Sequence, residues 1–123
     1  MRPHPALPYA AGAAIAARRL LKFSADGIVV QAAAATDDLI GVSDSLGASA
    51  QGDRCDAYVG GVVEIDVGGN IARGKFVTSD ANGKAVQAAP GAGVNNRIIG
   101  IAQATYVAGD IGEFLVAPCS LQG

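Results

Sequence analysis

The sequence predicts an all-β protein, a small β-barrel or sandwich built from two pseudo-symmetric repeats and preceded by an extended N-terminal arm. Three observations predict it. Residues 12–33 read a second time at 68–89 without a gap. Gly12, Ile15, Ala16, Ala25, Gly27, Val30, Gln31, Ala32 and Ala33 return as Gly68, Ile71, Ala72, Ala81, Gly83, Val86, Gln87, Ala88 and Ala89, all at an offset of 56. Short apolar runs are punctuated by Gly, Asp and Asn at the spacing of strands and turns. Two of those turns, Asp26-Gly27 and Asn82-Gly83, carry the glycine that a tight hairpin requires.

The repeat reaches further than its gapless block. Arg19/Lys75, Leu20/Phe76, Leu21/Val77 and Asp26/Asn82 keep their chemical class. Ile40-Gly41-Val42 returns as Ile99-Gly100-Ile101, and Gly52-Asp53-x-x-Asp56 returns as Gly109-Asp110-x-x-Glu113, with Val59 over Val116. What recurs in the gapless block is turn glycines and apolar runs, with no potential catalytic group among its identical positions, so the repeat preserves a shape rather than a reaction.

Taken in order, the elements follow from these signals. Met1 to Tyr9 holds Pro3, Pro5 and Pro8, which exclude a helix and favour an extended, polyproline-like segment. The arm is therefore placed at residues 1–11, with a single β domain over 12–123 whose halves span 12–59 and 68–116. Ala10 to Arg19 has helical propensity, but its twin, beginning Gly68-Gly69-Asn70, is too glycine-rich for a helix interior. Both stretches are expected to be loops leading into strands. Leu20 to Phe23 should pair with Ile28 to Ala33, and Phe76 to Thr78 with Lys84 to Ala89 across Asp80-Ala81-Asn82-Gly83. Further strands are expected at Leu39–Ser43, Cys55–Val59, Val62–Val67, Arg97–Ala104 and Ile111–Ala117. The halves should pack about a pseudo-twofold that closes their open edges. Asp44 to Gln51 and Pro90 to Asn96 break the equivalence and are candidates for contacts outside the repeat.

Composition sets the scale. Of 123 residues, 25 are alanine and only 31 are Leu, Ile, Val or Phe, so the core is thin and oligomerisation is expected to support it. Residues 1–25 carry four bases and no acid, whereas residues 26–123 carry five bases and all eleven acids. A basic arm on an acidic body suits docking of the arm on an acidic surface or on nucleic acid. No stretch reaches the roughly 20 apolar residues of a membrane span, and no signal peptide is evident, so a soluble protein without membrane association is expected. Cys55 and Cys119 read as small buried hydrophobes rather than a disulfide.

Chemical motifs fail one by one. His4, the only histidine, lies between Pro3 and Pro5 and lacks the fixed partners of a catalytic imidazole. One histidine and two distant thiols give no metal-ligand spacing. Asp53 and Asp110 follow glycines, as turn caps do. Gly60-Gly61 and Gly68-Gly69 lack the Lys-Ser/Thr of a phosphate loop. The six aromatics Tyr9, Phe23, Tyr58, Phe76, Tyr106 and Phe114 are expected mostly at core-facing positions rather than as a base-stacking platform. With an acidic body, this argues against sequence-independent DNA binding by the body, and no nucleic-acid partner is expected. No enzyme activity, cofactor or metal is expected.

The run from Thr78 to Ala104, TSDANGKAVQAAPGAGVNNRIIGIAQA, followed by Ala108-Gly109-Asp110, closely resembles the capsid cement, or decoration, proteins of tailed bacteriophages. Leu39-Ile40-Gly41-Val42-Ser43-Asp44 and Gly61-Val62-Val63-Glu64 fit the same pattern, and the resemblance covers about residues 10–123. It implies a structural virion protein, made in the host cytoplasm, that binds the major capsid protein on the outer surface of an icosahedral shell and stabilises it. It also implies a homo-oligomer, a trimer by preference. The resemblance does not reach residues 1–9. There Arg2, Pro3, His4, Pro5, Leu7, Pro8 and Tyr9 combine charge, stiff backbone and apolar groups, and are expected to be mobile in solution and to contact the capsid or a neighbouring subunit. Two alternatives stand beside it. One is a biotinyl- or lipoyl-type carrier domain presenting Lys84 on a hairpin. The other is an oligomeric β-module of a phage tail or fibre.

Overall fold

The structure, a computed structural model, describes residues 6–122. It contains ten strands: β1 (Ala6–Ala11), β2 (Leu20–Ala25), β3 (Ile28–Gln31), β4 (Leu39–Ser43), β5 (Arg54–Tyr58), β6 (Gly61–Asp66), β7 (Phe76–Ser79), β8 (Ala85–Gln87), β9 (Asn95–Ala102) and β10 (Ile111–Gln122). The first five close a barrel in the order β1-β3-β2-β4-β5, and the last five form a sheet in the order β6-β10-β9-β7-β8. Read around the barrel from β1 through β5, the order is β1-β5-β4-β2-β3. Adding five to each label gives the order of the second sheet.

The agreement extends to single hydrogen bonds. Gly12 N donates to Val29 O and Gly68 N to Ala85 O, both at 2.8 Å; Ile15 bridges Ala48 as Ile71 bridges Tyr106. The repeated glycines have two uses. Gly27 and Gly83 sit in the hairpin turns at φ 70° and 72°, which L side chains rarely adopt. Gly41 and Gly100 instead mark close strand crossings: a Cβ at Gly41 would lie 2.5 Å from Tyr58 O, and one at Gly100 would lie closer still to Leu115 O.

Strand alternation divides the core in two. Leu21, Val29, Cys55 and Ala57 fill the barrel together with Ala11, Ile15 and Ala48. Leu20, Ala32, Leu39 and Val42 belong instead to a second cluster with Val63, Ile65, Val77, Ile99, Phe114 and Val116 of the other sheet. At roughly 1.5–3 kcal/mol for each fully buried Leu or Val, this shared cluster is the main attraction between the sheets. Polar contacts fix its register. Between β6 and β8 the second sheet is joined only by the parallel bridge Val67–Ala85, and residues 18–20 of the barrel dock beside that seam. There Asp66 N donates to Arg18 O at 3.0 Å and Leu20 N to Gly83 O at 2.8 Å. The Asp66 carboxylate receives Arg18 Nε at 2.9 Å and Arg19 Nε at 3.2 Å. Asp37 ties the 33–38 loop to Lys22, and the same loop offers Ala35 O to Arg97 N at 2.7 Å.

Several expectations change. The proline spacing suggested an arm through residue 11, but Ala6–Ala11 form β1, antiparallel to β5 and parallel to β3. Pro8 is tolerated because β1 meets β3 only at Ala10 and Ala11, leaving the earlier residues an unpaired edge on that side. Leu7, Pro8 and Tyr9 therefore belong to the barrel wall, not to a segment free of strand structure, while Arg2, Pro3, His4 and Pro5 lie outside the described residues. The strand twins run from β1 and β6 onward, so the repeating units begin before residues 12 and 68. Rather than two half-open sheets completing each other, the first sheet closes on itself through β1. β10 continues past Ala117, because Pro118 falls in the register shift between Val116 and Cys119, where a missing N–H costs little. Cys119, beyond that shift, is exposed rather than buried; Cys55 is buried, and both thiols are free.

Candidate docking surface

A catalytic reading finds little to build on among the described residues. No group of three or more His, Cys, Asp or Glu side chains converges as a metal site requires. Burial, with the charges of Asp44 and Asp56, pushes the Cys55 thiol up to about 11, so it stays protonated and weakly nucleophilic near neutrality. A groove of about 310 Å³ between the sheets is lined by Arg18, Ser43, Asp44, Tyr58, Glu64 and Glu113. Its one buried hydroxyl, Ser43, donates to Ala16 O at 2.8 Å and accepts from Arg19 N at 2.9 Å, which makes it a backbone brace. Glu64 and Glu113 stand directly opposite each other on β6 and β10, a like-charge pair that gives the groove an acidic wall. Asp53 and Asp110 cap turns, accepting from Ala50 N at 3.1 Å and Val107 N at 2.9 Å.

Lys84 does not stand on a free hairpin. Its turn is pressed against the barrel, with Asn82 O accepting Gln31 Nε2 at 2.6 Å and Arg19 Nη1 at 3.0 Å, and with Gly83 buried. A carrier lysine needs a projecting tip that can swing; this one is docked.

The surface features suit association better than reaction. At the start of β1, Leu7 and Pro8 are exposed, and Tyr9 packs edge-on against Phe23 at a ring separation of 5.4 Å. Across the outer face of the second sheet, Val62, Leu115, Ile101 and Phe76 are successive cross-strand partners on β6, β10, β9 and β7. Val62, Leu115 and Phe76 are 36%, 40% and 41% exposed. Of the aromatics expected in the core, only Phe114 is buried; Phe23 and Phe76 are open to solvent and the tyrosines are part-exposed. No single segment of the sequence announces this apolar row, because each strand contributes one residue to it. The register that aligns them is not visible in any one segment. The loops that break the repeat also expose apolar side chains, Leu46 at 85% in Asp44–Gln51 and Val94 at 45% in Pro90–Asn96.

The described residues form an all-β body with apolar and charged patches on its surface. The chain matches the phage cement protein family over residues 2–117 and belongs to that family. It is thus a capsid-associated structural protein of a bacteriophage. No curated protein sequence matches it. Among solved structures, the head fibre gp8.5 N base of bacteriophage phi29 shares the fold at a TM-score of 0.69 and 21% identity. The superposition covers 94% of this chain and 95% of that one.

Proposed function

We propose that this protein binds the outer surface of an icosahedral phage capsid, contacts the major capsid protein and reinforces the shell, without catalysis and without a cofactor. Family membership over nearly the whole chain is the observation that carries this reading. The physical argument is multivalency. A rigid β body that engages several shell subunits makes each later contact intramolecular, so modest patches add up to firm attachment. Three copies around a local symmetry axis would multiply those contacts again.

The start of β1 supports a shell-facing role for the N-terminal residues. Leu7 and Pro8 are exposed on a strand held by β5, and Arg2, Pro3, His4 and Pro5 precede them. Tyr9 anchors that strand through Phe23. Purified shells mixed with the protein test the proposal. Saturable binding, with a rise in the temperature at which shells come apart, is the expected result. Binding without a stability gain would sink reinforcement, and no binding would sink the reading as a whole.

The likeness to a head fibre base favours a second reading, in which this β body serves as the anchor of a fibre or tail module. Immunogold electron microscopy of virions separates the two: label spread over the shell favours cement, and label confined to a tail or to fibres favours the module.

A further inference from the structure

The two sheets carry the same or chemically related residues at the same places, yet only one of each pair is in use. On the barrel, Leu20, Gln31 and Ala32 press against the β7–β8 turn. A Cβ placed on Gly83 would meet Gln31 Cγ at 2.6 Å, Ala32 O at 3.2 Å and Leu20 O at 3.3 Å. The side chains of Gln31 and Arg19 complete the contact by donating to Asn82 O. The twins of the pressing face are Phe76, Gln87, Ala88 and Lys75, and those of the turn are Asp26 and Gly27, all displaced by 56 residues. Neither twin surface is covered. Around Gly27 nothing lies within 4 Å of an added Cβ, although its φ of 70° matches that of Gly83 at 72°. Leu20 is 0% exposed and Phe76 is 41% exposed.

The open face is already arranged for the contact. Gln31 Oε1 accepts Ala16 N at 3.1 Å, which aims its amide nitrogen at Asn82 O. Gln87 Oε1 accepts Ala72 N at 3.0 Å in the same way, and its amide nitrogen has no acceptor among the described residues. Charge adds direction. Where Arg19 meets the neutral Asn82, its twin Lys75 would meet Asp26; both are exposed and neither has an ion-pair partner among the described residues. Beyond Phe76 the face continues into Ile101, Leu115 and Val62. The matching barrel row, Leu20, Val42 and Tyr58, is packed into the shared core.

We propose that the Lys75, Phe76, Gln87 and Ala88 face of one copy docks on the Ala25-Asp26-Gly27 turn of a second copy, repeating between molecules the contact that joins the two sheets within one. The occupant is a second copy because the face and the turn are twins of surfaces that already fit each other in this chain. The contact is heterologous, so each copy keeps one free face and one free turn until a ring closes. Two features make it weaker than its intramolecular counterpart. Gly27 O is already bonded to Ala10 N at 3.2 Å, so the backbone bond from Leu20 N to Gly83 O has no repeat. The twin of Asp66 is Ala10, so the second carboxylate is missing.

The inference does not depend on what the chain decorates, and its test keeps the two questions apart. Unlabelled and ¹⁵N-labelled full-length protein are mixed and treated with a carbodiimide, which joins a carboxylate to an adjacent amine with no spacer. A mixed-isotope Asp26–Lys75 peptide is expected. In sedimentation, Lys75→Glu and Asp26→Lys should each weaken self-association about tenfold or more, and the double variant should recover most of it. Far-UV circular dichroism checks that these exposed substitutions leave the fold intact. Wild-type protein that stays monomeric up to about 100 µM overturns the proposal. So do cross-links that map elsewhere, and single variants that associate like wild type. Shell binding is read separately on the same proteins: its absence alongside an intact Asp26–Lys75 contact contradicts the capsid reading and leaves this inference standing.

Discussion

Leu20 and Phe76 occupy twin positions in opposite states of burial, and truncating each to alanine should give very different results. Leu20 is fully buried in the apolar cluster shared by the two sheets. Its backbone is pinned by the 2.8 Å bond from Leu20 N to Gly83 O, so the strand cannot readily shift to fill the cavity left by Leu20→Ala. Leu-to-Ala losses of 2–5 kcal/mol are usual in such settings, and a value of about 3 kcal/mol is expected here. For a chain of this length that corresponds to a fall in melting temperature of roughly 10 °C. Phe76→Ala removes a larger side chain, but one already 41% exposed, and should cost about 1 kcal/mol. Urea denaturation followed by circular dichroism measures both, at protein concentrations low enough that self-association does not add to stability. Equal losses for the two variants, or a loss under about 1 kcal/mol for Leu20→Ala, would refute the assignment of Leu20 to the inter-sheet contact.

Asp66→Ala leaves Arg18 and Arg19 without their shared carboxylate, and these side chains are only 28% and 17% exposed, so a loss of about 2 kcal/mol is expected, between the values for surface and buried pairs. Arg18 sits at φ 57°, a costly left-handed conformation that its twin Gly74 adopts freely, so any relaxation of Arg18 in the variant would offset the loss rather than add to it; chemical denaturation reads the net change. Burial pushes the Asp37 carboxyl upward, but hydrogen bonds from Ala33 and Ala34 and the Lys22 ammonium outweigh it and hold the group below its ordinary 3.8. The stability it contributes is therefore complete above pH 3.8 and is lost as pH falls through the lower folded value; Asp37→Asn should flatten that acid limb in pH-dependent unfolding. Deleting residues 2–9 removes most of β1 and its pairing with β5, and should cost roughly 5 kcal/mol or abolish folding, which thermal unfolding measures.

Much of this architecture was legible because its signals are local. Asp26-Gly27 and the Asp80–Gly83 turn announced both hairpins, and the β4 bounds at Leu39 and Ser43 follow from the apolar run itself. The repeat overruled the helical propensity of Ala10–Arg19, correctly, because the twin stretch could not be helical. What stayed hidden was set by register and packing. Pro8 reads as a strand breaker until the one-sided pairing of β1 is known, and Pro118 until the bulge is. The apolar row from Val62 to Phe76 exists only once four strands are aligned. Nothing in the sequence distinguishes Leu20 from Phe76; the structure separates them because one face of the twin pair is covered and the other is not. The arm residues Arg2, Pro3, His4 and Pro5 keep their proposed role on charge and composition, while Leu7, Pro8 and Tyr9 now enter it as part of a strand.

Electron cryomicroscopy of shells assembled without this protein, imaged before and after its addition, tests the central claim most directly. The account predicts new density on the outer surface with the shape of a barrel joined to a second five-stranded sheet, and shells that come apart at a higher temperature than bare ones. Density absent from the outer surface, or decorated shells that disassemble at the same temperature as bare shells, would contradict it.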